Sequence, residues 1–315
     1  MKKNDQKARI VSYIVFTFTT IICVFPFLLL LSASLSDDNA VVQYGYRIIP
    51  KVFSLDAYQY ILSSREYIFH AYGITILVTA VGTAASLIMT SMLSYPLSNP
   101  YLPGRKIFLF IVLFTMLFNG GLVPSYLVYT QLLHIKNTLW ALLIPSLLLN
   151  GFNVMIMRTF FQNSIPRSLI ESAKIDGATE WKIYWMLILP LSKPVMATIG
   201  LMTGLAYWNI VLPLGKPILV TMGTFAGLAY WNDWANGLYY ITESNKMSLQ
   251  NVLNSMLQNS QFLSQHANLA VKNVHLPTTT IRMAIAVIGI VPVMIIYPFL
   301  QKYFAKGLTV GAVKG

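Results

Sequence analysis

The fold is decided by residues 165–194, IPRSLIESAKIDGATEWKIYWMLILPLSKP, which we call the elbow. This stretch is too polar to cross a bilayer and more apolar than an ordinary loop. The pattern predicts a helix, a turn and a second helix. Ser168 and Glu171 have the spacing of a capping box, so we expect Ser168 to be the N-cap of the first helix. Gly177 is expected to end that helix in a left-handed conformation, and Pro190 to break the second helix.

The composition indicates an all-α membrane protein. Of the 315 residues, 56% are hydrophobic and 10% are charged, with a mean hydropathy of +0.62, whereas a soluble domain carries about 25% charged residues. The net charge of +12 does not indicate nucleic-acid binding, because the basic residues lie between long apolar runs and form no basic face. The single cysteine, Cys23, excludes a disulfide framework and a thiolate metal site.

Six uncharged apolar stretches are long enough to span a membrane, which takes roughly 20 residues. They are residues 10–31, 71–97, 107–128, 137–157, 194 into the 210s, and 283–301. With the N-terminus in the cytoplasm, fourteen of the 22 Lys and Arg fall inside and seven outside, with Lys216 assigned to neither side. The positive-inside rule therefore favours cytoplasmic N- and C-termini. We divide the chain into an N-terminal span with an external segment (1–69), a transmembrane domain (70–303) and a cytoplasmic tail (304–315).

The sequence has no catalytic or ATP-binding pattern. A G-x-x-x-x-G-K-[ST] phosphate loop is absent, and no paired carboxylates or metal-ligand spacing accompany the four histidines. We therefore expect a non-catalytic protein without a cofactor or a metal. An ion-coupled transporter or channel is a second hypothesis. Such proteins place ionisable residues inside their spans, whereas here Asp233 stands only at the end of one.

The elbow also carries a recognisable motif. Its spacing is E-S-A at residues 171–173, then Gly177, then L-I-L-P at residues 187–190. This resembles the EAA motif of ABC importer permeases, E-A-A-x3-G-x9-I-x-L-P, with Ser172 and Leu187 as small departures. The extended pattern through Pro194 is similar to the carbohydrate-uptake permeases of the MalG type. The ending of the chain, KGLTVGAVKG at residues 306–315, looks like a polysaccharide-fragment uptake subfamily of Firmicutes.

The resemblance implies the six-helix MetI-like fold, with the elbow as a coupling helix that docks on a cytoplasmic ATPase. It implies a subunit of an ATP-driven importer for an oligosaccharide or other carbohydrate in a bacterial cell membrane. The implied partners are a homologous permease in a heterodimer, ABC ATPase subunits that bind the ATP, and an extracellular solute-binding protein. The residues expected to couple to the ATPase are Glu171, Ser172, Ala173, Asp176, Gly177, Ala178, Leu189 and Pro190. A helix resting on lipid is the alternative, but it does not account for the motif spacing.

The sugar pathway is expected to be lined by aromatic and amide side chains of the central spans, because stacking and hydrogen bonding suit a neutral polyol. The candidates are Asn119, Tyr126, Asn150, Asn153 and Tyr207. The alternative for each candidate is an ordinary role in packing or at a helix end, which these residue types also commonly have.

A tandem repeat occupies the fifth predicted span. Residues 189–211, LPLSKPVMATIGLMTGLAYWNIV, recur as residues 212–234, LPLGKPILVTMGTFAGLAYWNDW, with thirteen of 23 positions identical. Together the two copies are about twice as long as a bilayer requires. We expect one copy to form span five and the other to be a re-entrant, kinked or protruding segment, with a break at Pro213 and Pro217. The sequence leaves open which copy is the span.

Overall fold

Three of the six long apolar runs of the sequence fold into long helices. The computed structural model describes residues 2–145, 147–165, 167–185, 216–265 and 278–310. Its α-helices are α1 (Lys2–Ser34), α2 (Asp38–Tyr44), α3 (Asp56–Ser63), α4 (Arg65–Ser98), α5 (Arg105–Leu117), α6 (Leu122–Leu127), α7 (Trp140–Leu143), α8 (Gly151–Ser164), α9 (Arg167–Ile175), α10 (Glu180–Ile183), α11 (Lys216–Trp231), α12 (Ala235–Tyr240), α13 (Leu249–Gln265) and α14 (Thr278–Val310). A π-helical turn, Val128–Leu132, follows α6. The expected all-α fold is confirmed for the described residues.

Three of these helices are long and apolar enough to cross a membrane. They are Arg9–Ser34 within α1, Arg65–Ser98, and Thr279–Pro298 within α14. The three helices α1, α4 and α14 contain the predicted spans 10–31, 71–97 and 283–301. The length and the apolar character of a run are enough to predict that it spans a membrane. These three spans therefore follow from the sequence alone.

The predicted span 107–128 is not a single straight helix. α5 ends at Leu117, and the helical stretch that begins at Leu122 is bent from it by 110°. Gly121 stands at the bend with a φ of +84°, a conformation that glycine adopts without steric cost. Neither helix is long enough to cross the membrane alone, so this region forms a span only if the two bent helices cross it together.

The predicted span 137–157 is also interrupted. α7 covers only Trp140–Leu143, and α8 begins at Gly151. Pro145 follows α7 and lacks the N–H group that would continue it. The Oδ1 atom of Asn150 then accepts hydrogen bonds from the N–H groups of Phe152 and Asn153, at 2.9 and 3.3 Å, and so starts a new helix.

The fifth predicted span can be followed only in its second copy. α11 lies within residues 212–234, whereas residues 186–215, which include the whole first copy, lie outside the described part of the chain. Pro213 is also outside it. Pro217 lies in the first described turn of α11, and the predicted break between the two copies falls largely among the residues outside the described part of the chain. Proline fits the first turn because the N–H group that it lacks has no partner there.

One compact unit comprises Met1–Phe69 and Val252–Val293. Within this unit α2 caps α14, because Oδ1 of Asp38 accepts hydrogen bonds from the N–H groups of Thr279 and Thr280, both at 2.8 Å. N–H groups in the first turn of a helix lack the carbonyl four residues earlier in the helix that would otherwise accept from them, so a side-chain acceptor suits this position. A carboxylate at this position also interacts favourably with the helix dipole.

The other unit comprises His70–Asn251 and Met294–Gly315. Buried hydroxyl residues form a stripe along its part of α4: Thr75, Thr79, Thr83, Ser86, Thr90, Ser91 and Ser94. Two of them donate hydrogen bonds to other segments. Ser86 Oγ donates to the carbonyl of Leu147 at 3.4 Å, and Ser94 Oγ donates to that of Val154 at 3.0 Å. Small hydroxyl residues permit close helix contact inside a membrane.

The second repeat copy packs against α4 at Gly82. A Cβ atom on Gly82 would lie 2.5 Å from Cζ of Tyr230 on α11, so only glycine leaves room for the tyrosine ring. Tyr230 is buried, and its hydroxyl donates to the carbonyl of Leu143 at 2.8 Å. Met222, also on α11, is buried in a cluster with Leu87. The second copy therefore occupies a place within the helix bundle of this unit.

Candidate functional site

Over its described residues, 165 and 167–185, the elbow folds as a helix, a turn and the beginning of a second helix, as predicted, whereas the predicted end of that helix at Pro190 lies outside the described part of the chain. α9 and α10 form the two helices, and a π-helical turn continues α10 through Trp185. The prediction for Ser168 is wrong, because α9 already begins at Arg167 and Ser168 lies inside its first turn. The sequence has Pro166 just before this point, and proline favours the first position of a helix.

Gly177 ends α9 in the predicted left-handed conformation, with a φ of +76°. The N–H group of Gly177 donates to the carbonyl of Lys174 at 3.0 Å. The N–H group of Ala178 donates to the carbonyl of Ala173 at 2.9 Å. This pair of bonds is a Schellman motif, which satisfies carbonyls that a helix end otherwise leaves unpaired. The direction in which the chain leaves α9 is therefore set by Gly177.

The outer face of the elbow is polar with exposed apolar groups. Its exposed motif residues are Glu171, Ser172, Asp176 and Gly177. Large apolar side chains are exposed on the elbow too, with Ile175 at 86%, Trp181 at 61% and Trp185 at 48% exposure. Aromatic side chains are enriched in protein interfaces. Sequence reasoning missed Ile175 and Trp181 because their place on the outer face depends on which side of the elbow packs inward.

The inner face of the elbow is buried. Ile183 and Tyr184 are 1% and 4% exposed and belong to a core cluster, and Ala173 and Ala178 pack against the same cluster. These two motif alanines therefore face the protein's own core. The hydroxyl of Tyr184 lies 2.7 Å from Oγ of Ser91 on α4. Burial raises the pKa of the Tyr184 phenol, and its hydrogen bond with Ser91 partly offsets the rise.

Glu180 joins three segments of the chain. Its Oε1 atom lies 2.6 Å from Nζ of Lys174 on α9, and its Oε2 atom accepts a hydrogen bond from the hydroxyl of Tyr95 on α4 at 3.1 Å. Sequence reasoning did not predict this contact. A pattern identifies neighbours three or four residues apart on one helix, whereas these residues lie on three different helices.

A cleft of about 430 Å³ lies between the elbow, the end of α4 and the turn that follows α4. Its charged and aromatic lining residues are Tyr95, Tyr101, Phe161, Arg167, Glu171, Lys174, Glu180, Trp181 and Tyr184. The guanidinium carbon of Arg167 lies 5.7 Å from the ring centroid of Tyr101, within the range of a cation–π contact. Glu180 and its two partners all line this cleft.

The structure gives two of the predicted pathway residues, Asn119 and Asn150, local roles. Oδ1 of Asn119 accepts a hydrogen bond from the N–H group of Gly121 at 2.9 Å, within the bend between α5 and α6. Asn150 caps α8, and Asn153 is half-buried in the first turn of that helix. Of the remaining predicted residues, Tyr207, Leu189 and Pro190 lie outside the described part of the chain.

Tyr126, the other pathway candidate, belongs to a cluster of four tyrosines. Its ring stacks on that of Tyr240, with centroids 6.0 Å apart and an angle of 11° between the planes. Tyr129 and Tyr239 approach Tyr240 edge-on at 5.6 and 6.4 Å. Nζ of Lys136 donates to the hydroxyl of Tyr126 at 3.4 Å. The cluster thus combines aromatic rings with a charged hydrogen-bond donor.

Comparison with known proteins identifies the family. Residues 87–206 match the family of binding-protein-dependent transport system inner membrane components. The chain is 38% identical over 294 residues to Protein LplC of Bacillus subtilis (strain 168), which covers 93% of this chain and 90% of the relative. The chain belongs to this family. The family match includes the elbow and ends within the first repeat copy.

Two further proteins are similar over almost the whole chain. The polygalacturonan/rhamnogalacturonan transport system permease protein YtcP of Bacillus subtilis (strain 168) is 36% identical over 313 residues, covering 98% of this chain and all of the relative. A chain in the crystal structure of a bacterial ABC transporter involved in the import of the acidic polysaccharide alginate superimposes with a TM-score of 0.72. It is 28% identical, and the match covers 96% of this chain and 98% of that one. The predicted MetI-like permease fold is confirmed.

The protein is therefore a permease subunit of an ABC importer and a multi-pass component of the membrane. The predicted resemblance to MalG-type carbohydrate permeases is confirmed by these relatives. In such importers the permease is the translocation subunit, and separate subunits hydrolyse ATP. Membership in this family implies three kinds of partner, namely a second permease, an ATPase and a solute-binding protein.

Proposed function

We propose that this permease imports an oligosaccharide as a heterodimer with a homologous permease and docks on its ATPase through the elbow. The observation that carries the proposal is the two-faced elbow, in which an exposed acidic and apolar surface is built on a buried core. The substrate class is supported by relatives named for polygalacturonan or rhamnogalacturonan transport and for alginate import.

The coupling surface is assigned to the outer face of the elbow. It comprises Glu171, Ser172, Ile175, Asp176 and Gly177. Acidic groups set the register on a partner, and Ile175 supplies apolar contact area. Ala173 and Ala178 contribute indirectly, because they pack the inner face of the elbow against the core cluster. Leu189 and Pro190 complete the motif and remain predicted members of the coupling segment.

The sugar pathway is assigned first to Tyr126, because its cluster offers aromatic faces for stacking and Lys136 offers a charged donor. Asn153 and Tyr207 stay predictions. Asn119 and Asn150 remain candidates for the pathway. Their Oδ1 atoms already accept backbone hydrogen bonds, so only their amide nitrogens would donate to a sugar.

We also propose that both termini, the tail 304–315 and the elbow lie in the cytoplasm, as the charge bias indicates. Gln258 would then face outside and Lys182 inside, and both are exposed. In a Cys23→Ala background, a membrane-impermeant maleimide should label Gln258→Cys in intact cells but should label Lys182→Cys only after the cells are opened. Labelling of Lys182→Cys in intact cells would contradict this orientation.

The function is tested by purifying the permease with its co-expressed partners and measuring ATP hydrolysis in the presence of its solute-binding protein. The sugar panel contains oligogalacturonides, alginate oligomers, arabino-oligosaccharides and galacto-oligosaccharides, with a peptide mixture as the control. At least one sugar should stimulate hydrolysis several-fold, and the peptides should not. The proposal would be wrong if no ATPase co-purified, or if peptides alone stimulated ATP hydrolysis.

A further inference from the structure

We propose that Glu180 and Tyr95 form a latch that holds the elbow at a fixed angle on α4, which makes both of them positioning residues for energy coupling. This inference rests on the proposed coupling role of the elbow. One oxygen of the Glu180 carboxylate pairs with Lys174 at 2.6 Å, and the other accepts from Tyr95 at 3.1 Å. A single carboxylate therefore connects both elbow helices to a membrane-spanning helix.

A second hydrogen bond between the elbow and α4 lies deeper in the fold than the latch. The inner contact is the buried hydrogen bond between Tyr184 and Ser91 at 2.7 Å. The partners are four residues apart on each side, at 91 and 95 on α4 and at 180 and 184 on the elbow, so the two contacts lie one helical turn apart. The core packing around Tyr184 holds the position of the elbow, and two hydrogen bonds one turn apart also fix its angle on α4, which a single hydrogen bond would not do.

Stability does not explain the outer contact. The side chains of Lys174 and Glu180 are 47% and 58% exposed, and exposed ion pairs contribute little to the free energy of unfolding. The core cluster around Ile183 and Tyr184 already holds the elbow in place. A contact that adds little stability, yet links the elbow directly to a span, is suited to fix an orientation.

α4 is suited to carry movement of the elbow further into its unit. Hydrogen bonds made by its hydroxyl stripe, as donor or acceptor, link it to other segments at successive positions away from the latch. These bonds join Ser94 to Val154, Ser86 to Leu147, and Thr75 to Leu249. A change in the angle of α4 therefore changes contacts along this whole unit, and an elbow that swings freely would not produce such a change.

The test is Tyr95→Phe, which removes one hydroxyl and leaves the ring in place. Its matched control is Tyr101→Phe, because Tyr101 lines the same cleft and its hydroxyl makes no hydrogen bond within the part of the chain that the structure describes. The assembly is reconstituted in liposomes with the sugar of the panel that stimulates the wild type most. Sugar transported per ATP hydrolysed should fall about five-fold in Tyr95→Phe and stay unchanged in Tyr101→Phe.

Two further results complete the test. Glu180→Ala should lower the same ratio, and the double variant should be no worse than Glu180→Ala, because both changes break one linkage. ATPase co-purification should stay at the wild-type level in Tyr95→Phe. A purely structural role would lower thermal stability without changing the ratio, and an unchanged ratio in Tyr95→Phe and Glu180→Ala would overturn the latch. Failure of the wild type to retain its ATPase would instead overturn the proposed function, and the latch with it.

Discussion

Replacing Gly177 with valine should reduce sugar uptake roughly ten-fold or more while leaving membrane insertion intact. Gly177 has a φ of +76°, and a residue with a Cβ atom pays about 1–2 kcal/mol in this conformation. Among the described residues other than its two chain neighbours, no atom lies within 4 Å of the added Cβ, so the cost comes from the backbone and not from crowding. Relaxation would break the hydrogen bonds to Lys174 and Ala173 that end α9, and it would redirect α10.

Gly177→Asn is the matched control, because asparagine tolerates the left-handed conformation better than any β-branched residue. The measurements are uptake in cells, the amount of co-purifying ATPase, and the amount of permease in the membrane fraction. Gly177→Val should lower uptake and the amount of co-purifying ATPase but not the amount of permease in the membrane. Gly177→Asn should give values between those of Gly177→Val and the wild type. Full uptake with normal ATPase binding in Gly177→Val would remove the main support for the elbow as the coupling element.

Gly82→Val should lower the melting temperature of the purified protein by roughly 5 °C or more, because overpacking typically costs about 1–3 kcal/mol. The new Cβ atom would lie 2.5 Å from the ring of Tyr230, and this ring is held by its hydrogen bond to Leu143. Gly73→Val is the matched control on the same helix, since no tertiary neighbour in the described part of the chain lies within 4 Å of a Cβ atom at Gly73. Both changes alter helix propensity equally, so their difference measures crowding.

The same variant identifies the repeat copy that packs in the bundle. At an offset of 23 residues, Tyr207 of the first copy corresponds to Tyr230 of the second. In a Tyr230→Ala background the cost of Gly82→Val should fall to that of Gly73→Val, whereas in a Tyr207→Ala background it should persist. Relief by Tyr207→Ala alone would show that the first copy, in which the family match ends, occupies this position instead.

Local patterns predicted much of the fold and part of the candidate site. The uncharged runs in α1, α4 and α14 are spans by length alone, because an apolar stretch of this size has no alternative to the bilayer. The left-handed conformation of Gly177 was predictable because it depends only on the residue and on the helix that ends there. The partners, in contrast, came from the resemblance of the motif to a family and not from periodicity.

Hydropathy failed where a helix breaks inside an apolar region. Residues 107–128 and 137–157 are apolar throughout, although α5 is followed by a bend of 110° and α7 stops at Leu143. A break that stays within the bundle needs no polar residues, because neighbouring groups satisfy its backbone. The mean hydropathy of a window therefore indicates that a segment is long and buried, but not whether its helix is straight.

The sequence by itself determined the class of protein, its long spans and the helix, turn and helix of the elbow, because each depends on residues close together along the chain. The tertiary structure alone decided what those elements touch. Asp38 caps a helix 241 residues away, Gly82 receives the ring of the second repeat copy, and Glu180 joins α9 to α4. Spacing along the chain specifies neighbours only within one helix, whereas these contacts arise when helices distant in sequence pack against each other.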